Sequence, residues 1–339
     1  MKLLLLGFGT VGQGLAELLI KKETVLKDNY NLECRVVGIA DMIKGSIYNG
    51  NGIDLKAALE KVKSGGKLTD LGDVFSGDAL AMVQAADADM LVEMTYTDIK
   101  TGEPATSHIR AALKKGMHVT TSNKGPVALY YNELAKLAKE NGVRFFYEGS
   151  VMSGTPLLNL VRETLAGSQI SEMKGILNGT TNYILTRMEE GMAYAEALKK
   201  AQDLGYAEAV PDADVLGWDA LAKVTILANA VFGSNSKPSD FTCKGITDIT
   251  ADAIKDAKAH GKRFKLIGRV WRDGDRVKGS VGPEQVDLSH PLAGVMGATN
   301  AVTITTDTLG DITIVGPGAG RIETGYSVLI DIIAAGGAR

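Results

Sequence analysis

The chain opens with an apolar run, Leu3–Leu6, followed at once by closely spaced glycines and then by leucines at 15, 18 and 19. A short continuous apolar run suits a strand buried on both faces, and leucines three and four apart line one face of a helix. The alternation recurs through the first half. Strands are predicted over 34–41, 88–97, 117–124 and from Val143 onward, with helical patterns at 106–116 and 131–142 between them. Strands alternating with helices predict a doubly wound parallel sheet. Beyond about residue 150 the order changes. A helix is expected over 153–167, and a strand over 169–176 runs into an Asn-Gly turn. A helix capped around Thr180–Thr181 follows, then another ending at Gly205. Near the C-terminus an alternating strand leads to a second strand at 311–315, a glycine loop at 316–320 and a final helix. Ile322, Val328, Leu329, Ile330, Ile332 and Ile333 give that helix too much apolar surface to leave in water, so it must dock. The fold class expected is α/β. A Rossmann-type doubly wound parallel sheet over 1–148 is expected, joined from 149 onward to a second α+β domain.

The helix predicted over 216–231 (LGWDALAKVTILANAV) is apolar nearly all round, which normally means burial, yet it carries Asp219 and Lys223. Four residues apart, they share one stripe. As a surface pair they contribute roughly 0.2–0.5 kcal/mol, far less than the several kcal/mol an ion costs on desolvation. The helix also lacks a polar face for them. The pair therefore reads as the wall of a cleft, with Lys223 a proton donor or substrate ligand oriented by Asp219.

Gly7, Gly9 and Gly12 spell G-x-G-x-x-G between a strand and a helix, over Gly7-Phe8-Gly9-Thr10-Val11-Gly12. The first glycine allows the tight turn, the second admits a pyrophosphate to the backbone, and the third lets helix and strand pack closely. Asp41, at the end of the second predicted strand, suits a ribose 2′-hydroxyl and repels a 2′-phosphate, which favours NAD slightly over NADP. Lys44 nearby works against that preference. Thr95, Asn123 and Lys124 sit at carboxyl ends of predicted strands, where ligands of such sheets bind.

Composition narrows the field. With 37 Lys plus Arg against 40 Asp plus Glu there is no electrostatic case for nucleic acid or an anionic membrane. Two distant cysteines and no apolar stretch near 18 residues point to a cytoplasmic protein. Cys34, assigned to the second strand, and Cys243, in an expected loop, have no base nearby in sequence for thioester chemistry. The four histidines lack metal-ligand spacing. Glu208, Asp212 and Asp214 suit either a hard cation or an ammonium group.

GFGTVG, TSNKGP, YEGSVMSGTP, LNGTTNYIL, LGYAEAVPDADVLGWDALAKVTIL, HPLAGVMGATNAV and GPGAG, in this order, resemble homoserine dehydrogenases over essentially the whole chain. The resemblance implies NADH- or NADPH-dependent, reversible reduction of aspartate 4-semialdehyde to homoserine, by a homodimer of the short form without a regulatory ACT-type domain. It implies Lys223 and Lys124 as catalytic lysines, Asp219 as substrate ligand and orienter, and Asp214 and Glu208 on the substrate amino group. Gly179, Thr180 and Tyr206 would complete the pocket. It also implies a monovalent cation, Na⁺ or K⁺, on backbone oxygens of Glu148, Val151, Ser153 and Thr155. The resemblance further implies that the final helix returns to the nucleotide domain, so that 1–148 with 315–339 form the first domain and 149–314 a second, catalytic and dimerisation domain with a mixed sheet, and that Gly318 of the glycine loop lies near the cofactor. Val210 departs from the aspartate common before the proline of the acidic segment. Two other readings are another Rossmann reductase of an amino-acid-derived carbonyl and a catalytically silent dinucleotide sensor.

Overall fold

Leu3–Leu6 lie at the centre of a six-stranded sheet in a computed structural model that describes residues 1–337. Its strands are β1 (Lys2–Leu6), β2 (Arg35–Asp41), β3 (Gly45–Tyr48), β4 (Met90–Glu93), β5 (His118–Thr121) and β6 (Phe145–Phe146), in the order β3-β2-β1-β4-β5-β6. Helices α1 (Thr10–Lys21), α2 (Glu23–Tyr30), α3 (Leu55–Lys63), α4 (Ala79–Ala85), α5 (Ala105–Lys114) and α6 (Lys124–Glu140) intervene. Alternate side chains of β1 feed two cores. Leu3 and Leu5 join Leu15, Ile39 and Val92 on one face, while Leu4 and Leu6 join Leu91, Ile109 and Val119 on the other. The sheet is parallel except for β3, which runs antiparallel to β2. Only residues 42–44 join these two strands, enough for a hairpin and far too few for a parallel crossover. Strand β3 was not foreseen, and β4 and β5 end at Glu93 and Thr121, short of the expected 95–97 and 123–124. Cys34 lies just before β2 rather than within it.

The unit that holds this sheet comprises Met1–Gly154 and the chain from Gly320 onward. The boundaries expected from the sequence are 148 and 315, and the last two residues of that expected domain lie outside the described ones. The C-terminal helix (Arg321–Gly336) lies against α1 at two glycines. A Cβ on Gly14 would collide with the carbonyl of Arg321, and one on Gly325 would press on the backbone of Gly14 and Leu15. Val328, Leu329 and Ile332 enter the core beside Leu15 and Leu19. Ser153 hydrogen-bonds through its hydroxyl to Thr324 (2.9 Å) and through its carbonyl to the Ser327 hydroxyl, which ties 149–154 to this unit.

Thr155–Ala319 form the second unit. Its elements are α7 (Leu158–Thr164), β7 (Ile170–Ile176), α8 (Gly179–Glu189), α9 (Tyr194–Asp203), α10 (Asp212–Val215), α11 (Trp218–Ala230), β8 (Thr242–Cys243), α12 (Ala251–Ala259), β9 (Lys262–Asp273), β10 (Arg276–Asp287), β11 (Thr299–Thr306) and β12 (Gly310–Pro317). The strands make a mixed sheet, β12-β11-β7-β9-β10-β8, antiparallel except for β8 beside β10. Cys243 thus sits on a short strand rather than in a loop. Strand β12 absorbs Gly316 and Pro317 from the expected glycine loop, because Gly316 pairs with Asn300 across the ladder. Helix α11 packs on β9 and β10 where glycines make room: Val224 fills a trough over Gly268 and Gly279. That seat fixes the height of its neighbour, Lys223. Among the described residues no helix is long and apolar enough to cross a membrane.

Candidate active site

In the first unit the segment after β1 is built from backbone. Gly7 has φ +89°, and a Cβ there would strike the carbonyl of Met94; a Cβ on Gly12 would strike the carbonyl of Gly7. Gly9, by contrast, has open space beside it. It is the N-cap of α1, whose first turn carries no acidic side chain and receives no side-chain cap. The helix end therefore keeps its N–H groups and positive dipole end for an anion, and this cradle fits a dinucleotide pyrophosphate. Thr10 is exposed and Val11 half-buried, whereas the Phe8 ring is buried in the core. The Phe8 N–H donates to Asp41 Oδ2 (2.8 Å), so it is engaged within the protein.

Asp41 is more constrained than a ribose ligand alone requires. Its other oxygen accepts from the N–H groups of Ile43 (3.0 Å) and Lys44 (2.9 Å), and Lys44 Nζ stands 3.7 Å away. Burial pushes the carboxyl up, but the N–H groups of Lys44, Phe8 and Ile43 outweigh it and hold Asp41 below its ordinary value. A carboxylate offers about four acceptor positions, so one remains for a ligand hydroxyl.

At the ends of β4 and β5 the predicted Thr95 and Asn123 come together: the Asn123 amide donates to the carbonyl of Tyr96 (2.8 Å). Asn123 Oδ1 accepts from Gly125 N–H (3.1 Å) and caps α6, of which Lys124 is the first residue. Lys124 is half-buried.

The second unit holds a cluster of charges. Lys223 and Asp219 have side chains only 10% and 15% exposed and pair at 2.7 Å, so the pair is largely buried rather than solvated. Burial of the helix is not complete, since Trp218 in its first turn is 42% exposed. Lys223 Nζ also donates to the carbonyl of Leu177 (2.6 Å), the residue after β7. Asn178 then bridges two acids, donating to Asp214 Oδ1 (2.6 Å) and Asp219 Oδ2 (2.9 Å). Its own oxygen accepts from the N–H and hydroxyl of Thr181, so Asn178, not Thr180–Thr181, is the N-cap of α8. Burial and the neighbouring Asp219 push Asp214 above its ordinary value, against the pull of Asn178 and Lys223. Thr180 donates to the carbonyl of Tyr206 (2.6 Å), and the rings of Tyr206 and Tyr183 are 5.1 Å apart. Gly179 opens α8, while Glu208 is exposed. An ammonium held between a carboxylate and a carbonyl, beside a second carboxyl of raised pKa, is suited to proton transfer and to binding a zwitterionic substrate.

Asn178, expected in a turn, and Glu93, which looks like part of an apolar strand, are not among the site residues expected from the sequence. The cue available for Asn178 was its place directly before a helical pattern. The segment proposed to hold a cation is buried, with Glu148, Val151, Ser153 and Thr155 all at most 9% exposed. The Glu148 N–H donates to Asp331 on the C-terminal helix (3.1 Å), and Thr155 donates to the carbonyl of Pro317 (3.0 Å). The Ser153 carbonyl accepts from the Ser327 hydroxyl. Gly318 lies against the Asn300 carboxamide.

Comparison with known proteins follows the same division. Residues 7–148 match the family model for the homoserine dehydrogenase NAD-binding domain, and residues 156–333 match that for homoserine dehydrogenase. The chain is 45% identical to the NAD(+)-dependent homoserine dehydrogenase of Pseudomonas canavaninivorans, over 98% of this chain and 95% of that protein. It is 42% identical to the homoserine dehydrogenase of Methanocaldococcus jannaschii, over 98% of each. A hyperthermophilic archaeal homoserine dehydrogenase solved in complex with NADPH superposes with a TM-score of 0.85, at 34% identity, covering 98% of this chain and 97% of that one. The chain belongs to the homoserine dehydrogenase family of NAD(P)-dependent oxidoreductases.

Proposed function

We propose that this chain interconverts L-aspartate 4-semialdehyde and L-homoserine with NAD in preference to NADP, and that Lys223 is its proton-transferring group. The observation that carries the reading is the buried Lys223–Asp219 pair, braced by Leu177 and Asn178. The nicotinamide cofactor, when bound, supplies or accepts the hydride. Gly7, Gly9 and Gly12 with Thr10 and Val11 would hold its pyrophosphate, and Asp41 its ribose. Thr95 and Asn123, just beyond the carboxyl ends of β4 and β5, and by resemblance Gly318 complete the cofactor set. Reduction of the aldehyde builds negative charge on its oxygen. The Lys223 ammonium, aimed by Asp219 and the Leu177 carbonyl, stabilises that charge and donates the proton. Lys124 is the second catalytic lysine. Asp214 and Glu208 take the substrate ammonium, and Gly179, Thr180 and Tyr206 line its pocket.

The preference for NAD is supported by Asp41, whose ionised carboxylate repels a 2′-phosphate. Lys44, turned towards that carboxylate, has its charge largely offset. By resemblance, a monovalent cation would sit on the carbonyls of 148–155 and supply fixed positive charge without redox chemistry, and the enzyme would work as a cytoplasmic homodimer. Homoserine oxidation with NAD and with NADP, followed by nicotinamide absorbance, tests the whole reading. Turnover with NAD and a lower kcat/KM with NADP are expected; no turnover with either would overturn it.

A further inference from the structure

Glu93 closes β4 and is completely buried, in a strand otherwise made of Met90, Leu91 and Val92. An apolar residue would fill such a place at no electrostatic cost, whereas a carboxyl there gives up its hydration. What it gains is a closed ring of hydrogen bonds. One oxygen accepts from the Thr95 N–H (3.0 Å) and from the Thr95 hydroxyl; the other accepts from the Thr121 hydroxyl (3.0 Å). The Thr121 oxygen in turn accepts from the Asn123 N–H (3.0 Å). The Asn123 amide returns to the carbonyl of Tyr96 (2.8 Å), next to Thr95, and its oxygen caps the helix that begins at Lys124.

We propose that Glu93 is a positioning residue for the cofactor crevice, holding the turn at Thr95 and the start of the Lys124 helix in one geometry. The ring joins the carboxyl ends of β4 and β5, the place where sheets of this topology bind their ligands. Neither strand end is held there by the sheet alone, because the β4–β5 ladder stops at Glu93 and Thr121. Burial pushes the Glu93 carboxyl upward against the pull of its donors on Thr95 and Thr121 and of the nearby Asn123, as is common where groups are arranged for function. The inference rests on the reading that this crevice takes NAD.

The test uses the full chain and two variants, Glu93→Gln and Thr121→Val. Glutamine keeps the shape but turns an amide donor on the donors of Thr95 or Thr121. Valine removes the Thr121 hydroxyl, which donates to Glu93 and accepts from the Asn123 N–H, and leaves the Glu93 residue itself unchanged. Steady-state KM values for NAD and homoserine, NADH affinity by fluorescence, and the thermal midpoint are measured together. Glu93→Gln should raise the NAD KM and the NADH Kd about tenfold, the fold-change for one charge-assisted hydrogen bond. The homoserine KM should stay within about twofold and the midpoint within a few degrees. Thr121→Val should give the same split at about threefold. Unchanged NAD parameters in a folded variant overturn the inference, and so does a parallel loss in both substrates and in stability. If Glu93→Gln does not fold, an unchanged NAD KM in Thr121→Val is enough to overturn it. A wild-type chain that fails to bind NADH would sink the cofactor reading and this inference with it, whereas wild-type binding with unaffected variants sinks this inference alone.

Discussion

The two units present candidate sites of opposite character. Around Gly7–Gly12 the first unit offers backbone and space, and the residues that shape it are buried against other backbone. Around α11 the second unit offers side-chain charge: an ammonium, two carboxyls and the carboxamide of Asn178 within one hydrogen-bond network. A backbone site recognises a ligand by fit and by N–H groups whose charge never changes. A side-chain site can change its protonation during a turnover. The division suits a redox enzyme in which the cofactor needs only to be held and the substrate oxygen must be given a proton. It also predicts that damage to the two regions will be read out in different constants.

The strongest way to break this comparison is Lys223→Ala. It should lower kcat by roughly 10²–10⁴-fold, the range for loss of a general acid or base, with NADH affinity nearly unchanged. Equal losses of kcat and NADH binding would show that the regions are not separable in this way. Asp41→Ala examines the other side. It should shift the NAD:NADP ratio of kcat/KM about tenfold towards NADP, with homoserine KM little altered. A ratio that does not move would remove Asp41 from cofactor choice.

A third test separates paired from unpaired charge inside the second unit. Lys265 is 1% exposed and, among the described residues, bonded only to neutral groups, Asn182 Oδ1 (2.9 Å), the Val295 carbonyl and Met296 sulfur. Burial lowers its pKa from 10.5 to about 8. Between those values the unfolded chain binds more protons than the folded one, so this lysine's contribution to stability rises with pH from about 8 to 10.5. Denaturant melts at pH 8 and 10 should show that rise in the wild type relative to Lys265→Met. Parallel curves would show that the lysine is not desolvated. The smallest effect is expected from Asp214→Asn. Because the folded protein holds this proton more tightly than the unfolded chain, ionisation costs stability as pH rises through its raised folded value. The asparagine variant should melt slightly higher at neutral pH while its homoserine KM increases.

The parts legible in the sequence were those whose signal is local. Gly7, Gly9, Gly12 and Asp41 lie in one strand–helix–strand stretch, and Asp219 and Lys223 betray themselves by standing on an otherwise apolar helix. Thr95 and Asn123 were found from strand ends, although the strands stop two residues earlier. Glu93 was not legible, because its partner Thr121 lies 28 residues away and its own neighbours are those of any buried strand. Strand β3 was missed since GSIY has neither length nor clear alternation, and its pairing is decided by the three-residue connection instead. Asn178 serves as turn residue, cap and bridge between acids at once, and only the first of these uses has a sequence signature.

The docking of Arg321–Gly336 on α1 has a consequence during synthesis. The first unit is interrupted by the second, and its last helix leaves the ribosome only after every residue of Thr155–Ala319 has been made. Until then Leu15, Leu19 and Phe146 lack the cover that Val328, Leu329 and Ile332 provide. The inserted unit is continuous in sequence and can close its sheet first, while the nucleotide-binding unit waits for a contact some 300 positions distant, such as that of Arg321 with Glu17. The nascent chain thus carries a nearly finished but uncovered first core through much of its elongation, and in that interval it is most open to chaperones and proteases.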